Sequence, residues 1–571
     1  MNRPLSLFGT ITIFLWTLFI CTAVESAAQV ASPVPYKEAA IASADAYATQ
    51  AGIETLQKGG NAIDAAIAVQ FALAVTLPRA GNIGGGGFMM IRLANGEIKA
   101  LDFREKAPSR ATEDMFLDDD GNYRPELSRS GGLASGVPGT VDGMISALER
   151  HGTLPLEVIL EPAMRLASDG FILTHSHAES LNRHRDRFAE YEGSADVFIR
   201  SDGDPWEAGQ RLVQADLAET LRRIARRGRD GFYLGYTARL IIDEQQRRNG
   251  RMTLRDLRNY KSVWRDPIQA SINGHDLFMM PPPSSGGVVM KQVLQMIGDI
   301  NPDSLGLNSS DYIHLLSEAF KRSFADRNYY LGDPDMVQMP LDTLLSPTYN
   351  QRRFRGFDPN RATPGNEIIH GRVSEIVESD ETTHFSVVDS EGNAVAVTTT
   401  LNGSYGSHVT VQGAGFLMNN EMDDFSAKPG EPNMYGLIGA EANKVEPNKR
   451  MLSSMSPTIV TKDGALKMVA GGSGGPRIIT AVLQNILNVV VYDLHANLAI
   501  SAPRFHHQWL PDRILAEPFA VPADVRQSLE TIGHPVRDAS SIALTHIIVI
   551  DENGNRMGAA DPRGNGSVAG Y

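Results

Sequence analysis

Cysteine is almost absent. The 571 residues contain one, Cys21, inside an apolar stretch near the N-terminus. The remainder of the chain can therefore form no internal disulfide, no cysteine-ligated metal site and no cysteine nucleophile. Positive charge is also in deficit: the net charge is −14 and the pI about 5.5. That balance disfavours nonspecific binding to nucleic acid or to an anionic membrane. The one basic cluster, Arg222-Arg223, Arg226-Arg227 and Arg229, is interleaved with acidic residues and reads as a solvated helix face. Two catalytic frames are missing too. The glycines at Gly84 to Gly87 precede an apolar strand pattern, with neither Gly-Lys-Ser/Thr nor a helix after them, so a phosphate loop is disfavoured. Ser284 and Ser285 have no Gly-x-Ser-x-Gly surround, which argues against a serine nucleophile there. Hydrophobic residues make up 42% and charged residues 21%, as in a globular protein.

The N-terminus has the pattern of an export signal. Met1-Asn2-Arg3 is a basic start, Leu5 to Val24 is almost wholly apolar, and Ser26-Ala27-Ala28 places small residues for cleavage after Ala28. An uncleaved anchor is the competing reading, because the run nearly reaches spanning length. A lipoprotein box at Cys21 is opposed by Ile20. Residues 1–28 are expected to be a signal peptide, and the product periplasmic or secreted.

The stretch that organises the chain is Asp380-Glu381-Thr382-Thr383-His384-Phe385-Ser386-Val387-Val388-Asp389. Thr383 to Val388 reads as a strand, Ser390-Glu391-Gly392-Asn393 as a turn, and Ala394 to Thr400 as the returning strand. Pairing Asp389 with Ala394 would set Thr383 opposite Thr400. On these residues alone two readings stay open. One is an ordinary hairpin with threonines on a polar face. The other is a threonine nucleophile whose own α-amine, titrating near ~8, serves as base. The second requires cleavage before Thr382.

The flanking chain alternates helices and strands. Ala39 to Lys58 reads as a helix stopped by Gly59-Gly60, and Asn61 caps a second, Ala62 to Leu77. Gly81 to Gly87 implies close backbone approach at the entry to a strand. Helices are expected at Val141 to His151, Leu156 to Gly170, Val288 to Gly298 and Asp311 to Tyr330, the last assigned to packing. Asn350 to Ser379 reads as a surface linker. Sheets packed on each other with helices outside are the expected layers.

Several residues carry candidate chemistry. Arg104 is either a surface residue paired with Glu105 or Asp102, or a fork for a substrate carboxylate. Asn402 follows the second hairpin strand. Glu421, Asp423 and Asp424 suit a cation, either metal or amine, or form a solvated loop; no histidines stand nearby to complete a metal site. Pro429 to Arg450 reads as a long flexible loop. Ser453-Ser454 can donate to a carboxylate or lie at a strand edge. Gly471 to Arg477 opens a helix after the strand Leu466 to Ala470, and its N–H groups suit a phosphate or an oxyanion. His506-His507 reads as structural.

Taken together, Thr382-Thr383-His384-Phe385-Ser386-Val387-Val388-Asp389 and Gly392 to Thr398 resemble the processing site of the γ-glutamyltransferase family of N-terminal nucleophile hydrolases. Motifs along nearly all of the chain after residue 28 agree in order. The resemblance implies a four-layer αββα sandwich and self-cleavage between Glu381 and Thr382. Residues 29–381 would be a large subunit and 382–571 a small one, intertwined as a heterodimer. It further implies Thr382 as nucleophile, Thr400 orienting it, and Gly474 and Gly475 as oxyanion donors. Arg104, Ser453 and Ser454 would grip the substrate carboxylate, with Asn402, Glu421 and Asp424 on the ammonium and Tyr435 in a lid. The implied substrates are glutathione and other γ-glutamyl compounds, with water, amino acids or peptides as acceptors. No cofactor, metal or nucleic acid is implied, and a membrane only if the signal segment is retained. Related alternatives are an acylase for glutaryl side chains, whose substrate lacks the ammonium that Glu421 and Asp424 would meet, and a polyglutamate hydrolase. A different class is an exported amino-acid-binding protein, which would need no cleavage.

Overall fold

Thr383–Val388 and Ala394–Thr400 are buried at every position. An antiparallel hairpin with one wet face would alternate; this one cannot, because both of its faces are covered. The computed structural model describes residues 32–298, 300–368, 382–428, 434 and 440–571. In it the hairpin is the centre of a seven-stranded sheet ordered Ser567–Gly570, Ala40–Ser43, Thr383–Val388, Ala394–Thr400, Gly86–Arg92, Ile98–Asp102 and Val263–Arg265. A second seven-stranded sheet runs Pro35–Tyr36, Arg556–Ala560, Leu544–Ile550, Ala465–Ser473, Thr458–Lys462, His275–Met279 and Ile268–Ile272. Every pairing in both sheets is antiparallel. The sheets face each other through their central strands.

Helices close both outer faces. Ala46–Gln57 and Ala62–Thr76 lie on the Thr382 sheet, and Gly286–Ile297 and Arg477–Val490 on the other. The expected αββα sandwich is thus the observed one. Ala62–Thr76 has no polar face because no part of it meets water: all fifteen residues are buried, and Asn61 and Asp64 close its first turn as a capping box. The long helix Ser310–Tyr330 packs on Gly286–Ile297.

Four local expectations are corrected. Residues from Ala39 do not form one helix; Ala40–Ser43 is a strand, and the helix begins at Ala46 under an Asp45 cap. The alanines are small enough to pair against Ser386 to Val388 between two layers, and that tertiary demand overrides their helical preference. The hairpin register is shifted by one, with Val388 opposite Ala394 and Thr383 opposite Thr399, because Asp389 turns inward to bond Asn393 and cap Ala62. The 350–379 linker begins as helix, Pro347–Phe354. Finally, the strand after Lys462 runs through Gly471 and Gly472 to Ser473.

Those last glycines answer to sheet spacing. A Cβ at Gly471 would fall 2.3 Å from the ring of His384 across the sandwich. His384 is itself fixed by Thr398 Oγ1 at 2.9 Å and Ser386 Oγ at 3.1 Å. A ring so held cannot retreat. Gly471→Ala is therefore expected to lower stability by about 1–3 kcal/mol, seen as a fall in the thermal unfolding midpoint; an unchanged midpoint would contradict the close approach.

Candidate active site

The glycine run and the hairpin build the floor of the site. A Cβ at Gly84 would lie 2.1 Å from Leu417 O and one at Gly85 2.1 Å from Thr400 O, so backbone passes where no side chain fits. Asn82 Nδ2 donates to Thr400 O at 2.9 Å and to Thr399 Oγ1 at 3.0 Å, tying that run to the end of the second hairpin strand. The one-residue register correction brings Thr382 itself across from Thr400. Thr382 Oγ1 lies 3.5 Å from Thr400 Oγ1, and Thr400 Oγ1 accepts the N–H of Asn402 at 2.8 Å. Asn402 makes this turn with φ 74°, a left-handed conformation that asparagine tolerates.

These residues open onto a cleft of about 540 Å³ lined by Thr382, Thr400, Asn402, Arg104, Glu421, Asp424, Ser453, Ser454 and Gly475. Across it stands the turn between Ala465–Ser473 and Arg477–Val490. Gly474 and Gly475 take φ of 134° and 54°, and a Cβ at Gly474 would meet Ala543 Cα at 2.8 Å. Only glycine fits there. The structure thus gathers the candidates Thr382, Thr400, Asn402, Arg104, Glu421, Asp424, Ser453, Ser454 and Gly475 around one cavity, with Gly474 in the adjoining turn. Glu381 and Tyr435 lie outside the described residues, as do residues 1–31. The segment Pro429 to Arg450 is not loop throughout: Glu441–Asn443 is a turn of 3-10 helix, and its end is anchored, with Lys449 and Arg450 fully buried and Arg450 against Asp102 at 3.3 Å.

Electrostatics divides the cleft. Arg104 is no surface residue; it is 1% exposed and pairs with Glu421 at 2.6 Å, with Asp424 in direct contact, and with Glu105 at 3.5 Å. Burial opposes its charge, but those three carboxylates outweigh burial and hold its pKa above the ordinary value. The same burial raises the carboxyls of Glu421 and Asp424 and pushes Glu105 up to about 8. One guanidinium cannot offset three buried carboxyls as full charges, and Glu105 holds its proton instead. Asp423 turns away, accepting from Tyr123 Oη at 2.9 Å and from Ser128.

On the other side stands Arg327, in a helix whose sequence pattern points only to packing. It is 4% exposed, lines the same cleft, and donates to Ser285 Oγ at 3.0 Å, Asn328 Oδ1 at 2.9 Å and Ser454 Oγ at 3.2 Å. Burial pulls its pKa down to about 10. A signal existed. Arg322 has Glu318 four residues earlier, whereas Arg327 has Ser323, Phe324, Tyr330 and Leu331 at the facing positions, none of them acidic. His506 and His507 are both buried, His506 between Thr480 Oγ1 and Gln508 Oε1 at 2.9 Å each, and His507 at 3.3 Å from Asp512.

Comparison with known proteins bears on the same residues. The family model described as Gamma-glutamyltranspeptidase matches residues 48–571. The chain is 47% identical to the glutathione hydrolase proenzyme of Escherichia coli (strain K12), over 94% of this chain and 93% of that one. It superposes on a cephalosporin acylase from Bacillus halodurans with a TM-score of 0.84 at 26% identity, covering 96% of this chain and 98% of that one. A γ-glutamyltranspeptidase chain from Helicobacter pylori is covered completely by 62% of this chain, with a TM-score of 0.57 and 41% identity.

The raised Glu105 carboxyl has a consequence for stability. A carboxyl whose folded pKa lies above its ordinary 4.5 stabilises the fold in its protonated form. That contribution is complete below about pH 4.5 and is lost as pH rises to about 8. Glu105→Gln mimics the neutral form, so between those pH values the unfolding midpoint of the parent is expected to fall relative to that of the variant; parallel midpoints would contradict the assignment.

Proposed function

Because this chain belongs to the gamma-glutamyltranspeptidase family, we propose that it is an exported precursor that cuts itself before Thr382 and then transfers γ-glutamyl groups from glutathione and related compounds. The observation that carries this reading is a threonine hydroxyl set 3.5 Å from a second, buried threonine hydroxyl at a cleft lined by both carboxyl and guanidinium groups. Hydrolysis of the Glu381–Thr382 amide would free the Thr382 α-amine, which titrates near ~8 and can act as base at neutral pH. The names of the relatives support a precursor, and the extent of the H. pylori match fits a large subunit ending near Thr382. On this reading residues 29–381 and 382–571 are the two subunits of one intertwined body, and residues 1–28 direct export.

The chemistry follows in balanced steps. Thr382 Oγ1 attacks the γ-carbonyl carbon while its proton passes to the Thr382 amine. The N–H groups of Gly474 and Gly475 take the charge that develops on the carbonyl oxygen. Thr400 orients the attacking hydroxyl. The amide C–N bond then breaks, the leaving amine collects the proton, and an ester remains on Thr382. Water or the amine of an amino acid or peptide attacks that ester in turn. The free amino-acid end of the γ-glutamyl group would be held with its ammonium on Glu421, Asp424 and Asn402 and its carboxylate on Ser453, Ser454 and an arginine, for which the sequence suggests Arg104. Tyr435 would belong to a covering lid. Acylase activity on glutaryl substrates is the weaker reading despite the B. halodurans likeness, since a glutaryl group brings no ammonium to offset the acidic side.

Thr382→Ala should leave the chain uncut and abolish turnover of a γ-glutamyl anilide. Thr400→Val should keep the fold and slow both cleavage and turnover about 10- to 100-fold. An uncut Thr382→Ala chain that still turns over the anilide would overturn the mechanism.

A further inference from the structure

A second cavity, of about 600 Å³, lies apart from the Thr382 cleft, and among the described residues the two share no lining residue. Leu77, Phe171, Leu173, Leu181, Leu212 and Leu544 give it apolar walls. It runs from the exposed Ser176 to His546, which is only 3% exposed. Its polar groups are few. Ser180 Oγ and Tyr405 Oη share a hydrogen bond at 2.9 Å. His177 Nδ1 accepts the N–H of Thr174 at 3.4 Å, which puts the ring proton of the neutral form on Nε2. That nitrogen stands 3.9 Å from Asp45 Oδ2, beyond hydrogen-bond reach. Nδ1 of His546 has no hydrogen-bond partner among the described residues. Burial keeps these groups uncharged: it pulls the His546 imidazole down to about 4, lowers that of His177 and raises the Asp45 carboxyl. Arg79, the one guanidinium in the wall, is already engaged.

A buried imidazole nitrogen without a partner is costly in either tautomer. As N–H it lacks an acceptor, and as a lone pair it lacks a donor. A hydroxyl answers both cases, because it donates and accepts. We infer that this cavity is a second ligand site, which takes a small neutral aromatic alcohol of the size of a phenol, with its ring among the leucines and its hydroxyl on His546. Apolar walls around a few placed polar groups are what such ligands require. Phe171 and His177, edge to face at 5.8 Å, and Tyr405 add aromatic surface for the ring. The inner end of the site backs onto the gap between the sheets: Ser386 Oγ donates to His546 O at 3.2 Å, and His384 lies near enough to interact electrostatically with the His546 ring. The ligand would touch none of the groups assigned to γ-glutamyl transfer, so the inference stands independently of that reading.

The test titrates the purified protein calorimetrically with 4-bromophenol and with bromobenzene, the same body without the hydroxyl. Saturable binding of 4-bromophenol is expected, about 3- to 10-fold tighter than that of bromobenzene, the worth of one hydrogen bond. His546→Leu should erase that difference and leave bromobenzene binding within about twofold. Absence of saturable 4-bromophenol binding would overturn the proposal, and so would a preference for the phenol that survives in His546→Leu. If His546→Leu does not fold, the bromine carries the test. Anomalous diffraction from crystals of the parent grown with 4-bromophenol should place the bromine inside this cavity and the hydroxyl on His546. A bromine found elsewhere, or a hydroxyl turned away from His546, would overturn the assignment. Neither readout uses turnover, so failure here would leave the Thr382 mechanism untouched.

Discussion

The contact between the two sheets at Thr383–Val388 and Ala465–Ser473 governs the rest of the molecule. These strands belong to different sheets, and their ends deliver the threonine and the glycine turn to the same cleft. The spacing depends on Gly471 leaving room for the His384 ring, which Thr398 and Ser386 in turn hold from their own sheet. A sandwich opened by the width of one methyl group would move Thr382 away from Gly474 and Gly475 while leaving every strand pair intact. Helices on both outer faces keep water from the hairpin, so Thr399 finds its partners in protein groups, Gly86 O and Asn82, while the buried Thr383 hydroxyl has no partner among the described residues.

Charge is arranged on the same frame. Thr400 passes the chain to Asn402, and the turn beyond carries Glu421 and Asp424 back beneath Arg104. The long helix behind the serines brings Arg327 from the opposite side. The cleft thus brings the carboxyl groups beside Arg104 and the guanidinium of Arg327 to one space, with Asp424 acting on both cations.

Sequence patterns carried the layered fold and most of the site because those features are local. The hairpin has alternation and a turn, the glycine runs have a steric meaning, and the carboxylate triplet is compact along the chain. Non-local constraints decided what was missed. Ala40–Ser43 looks helical until its pairing with Ser386 to Val388 is known. The strand after Lys462 reads as ending at Ala470 because its glycines are explained only by a ring in another sheet. Arg327 stands in a helix whose apolar stripe suggests packing, and only the fold sets Ser454, 127 residues away, beside it.

The central claim is that the Thr382 hydroxyl acts with its own freed amine. Intact mass and N-terminal sequencing of the purified, active protein test this most directly. The account predicts two chains, the smaller beginning at Thr382. A single uncut chain that turns over γ-glutamyl substrates would contradict it, since the amine would then still be locked in a peptide bond.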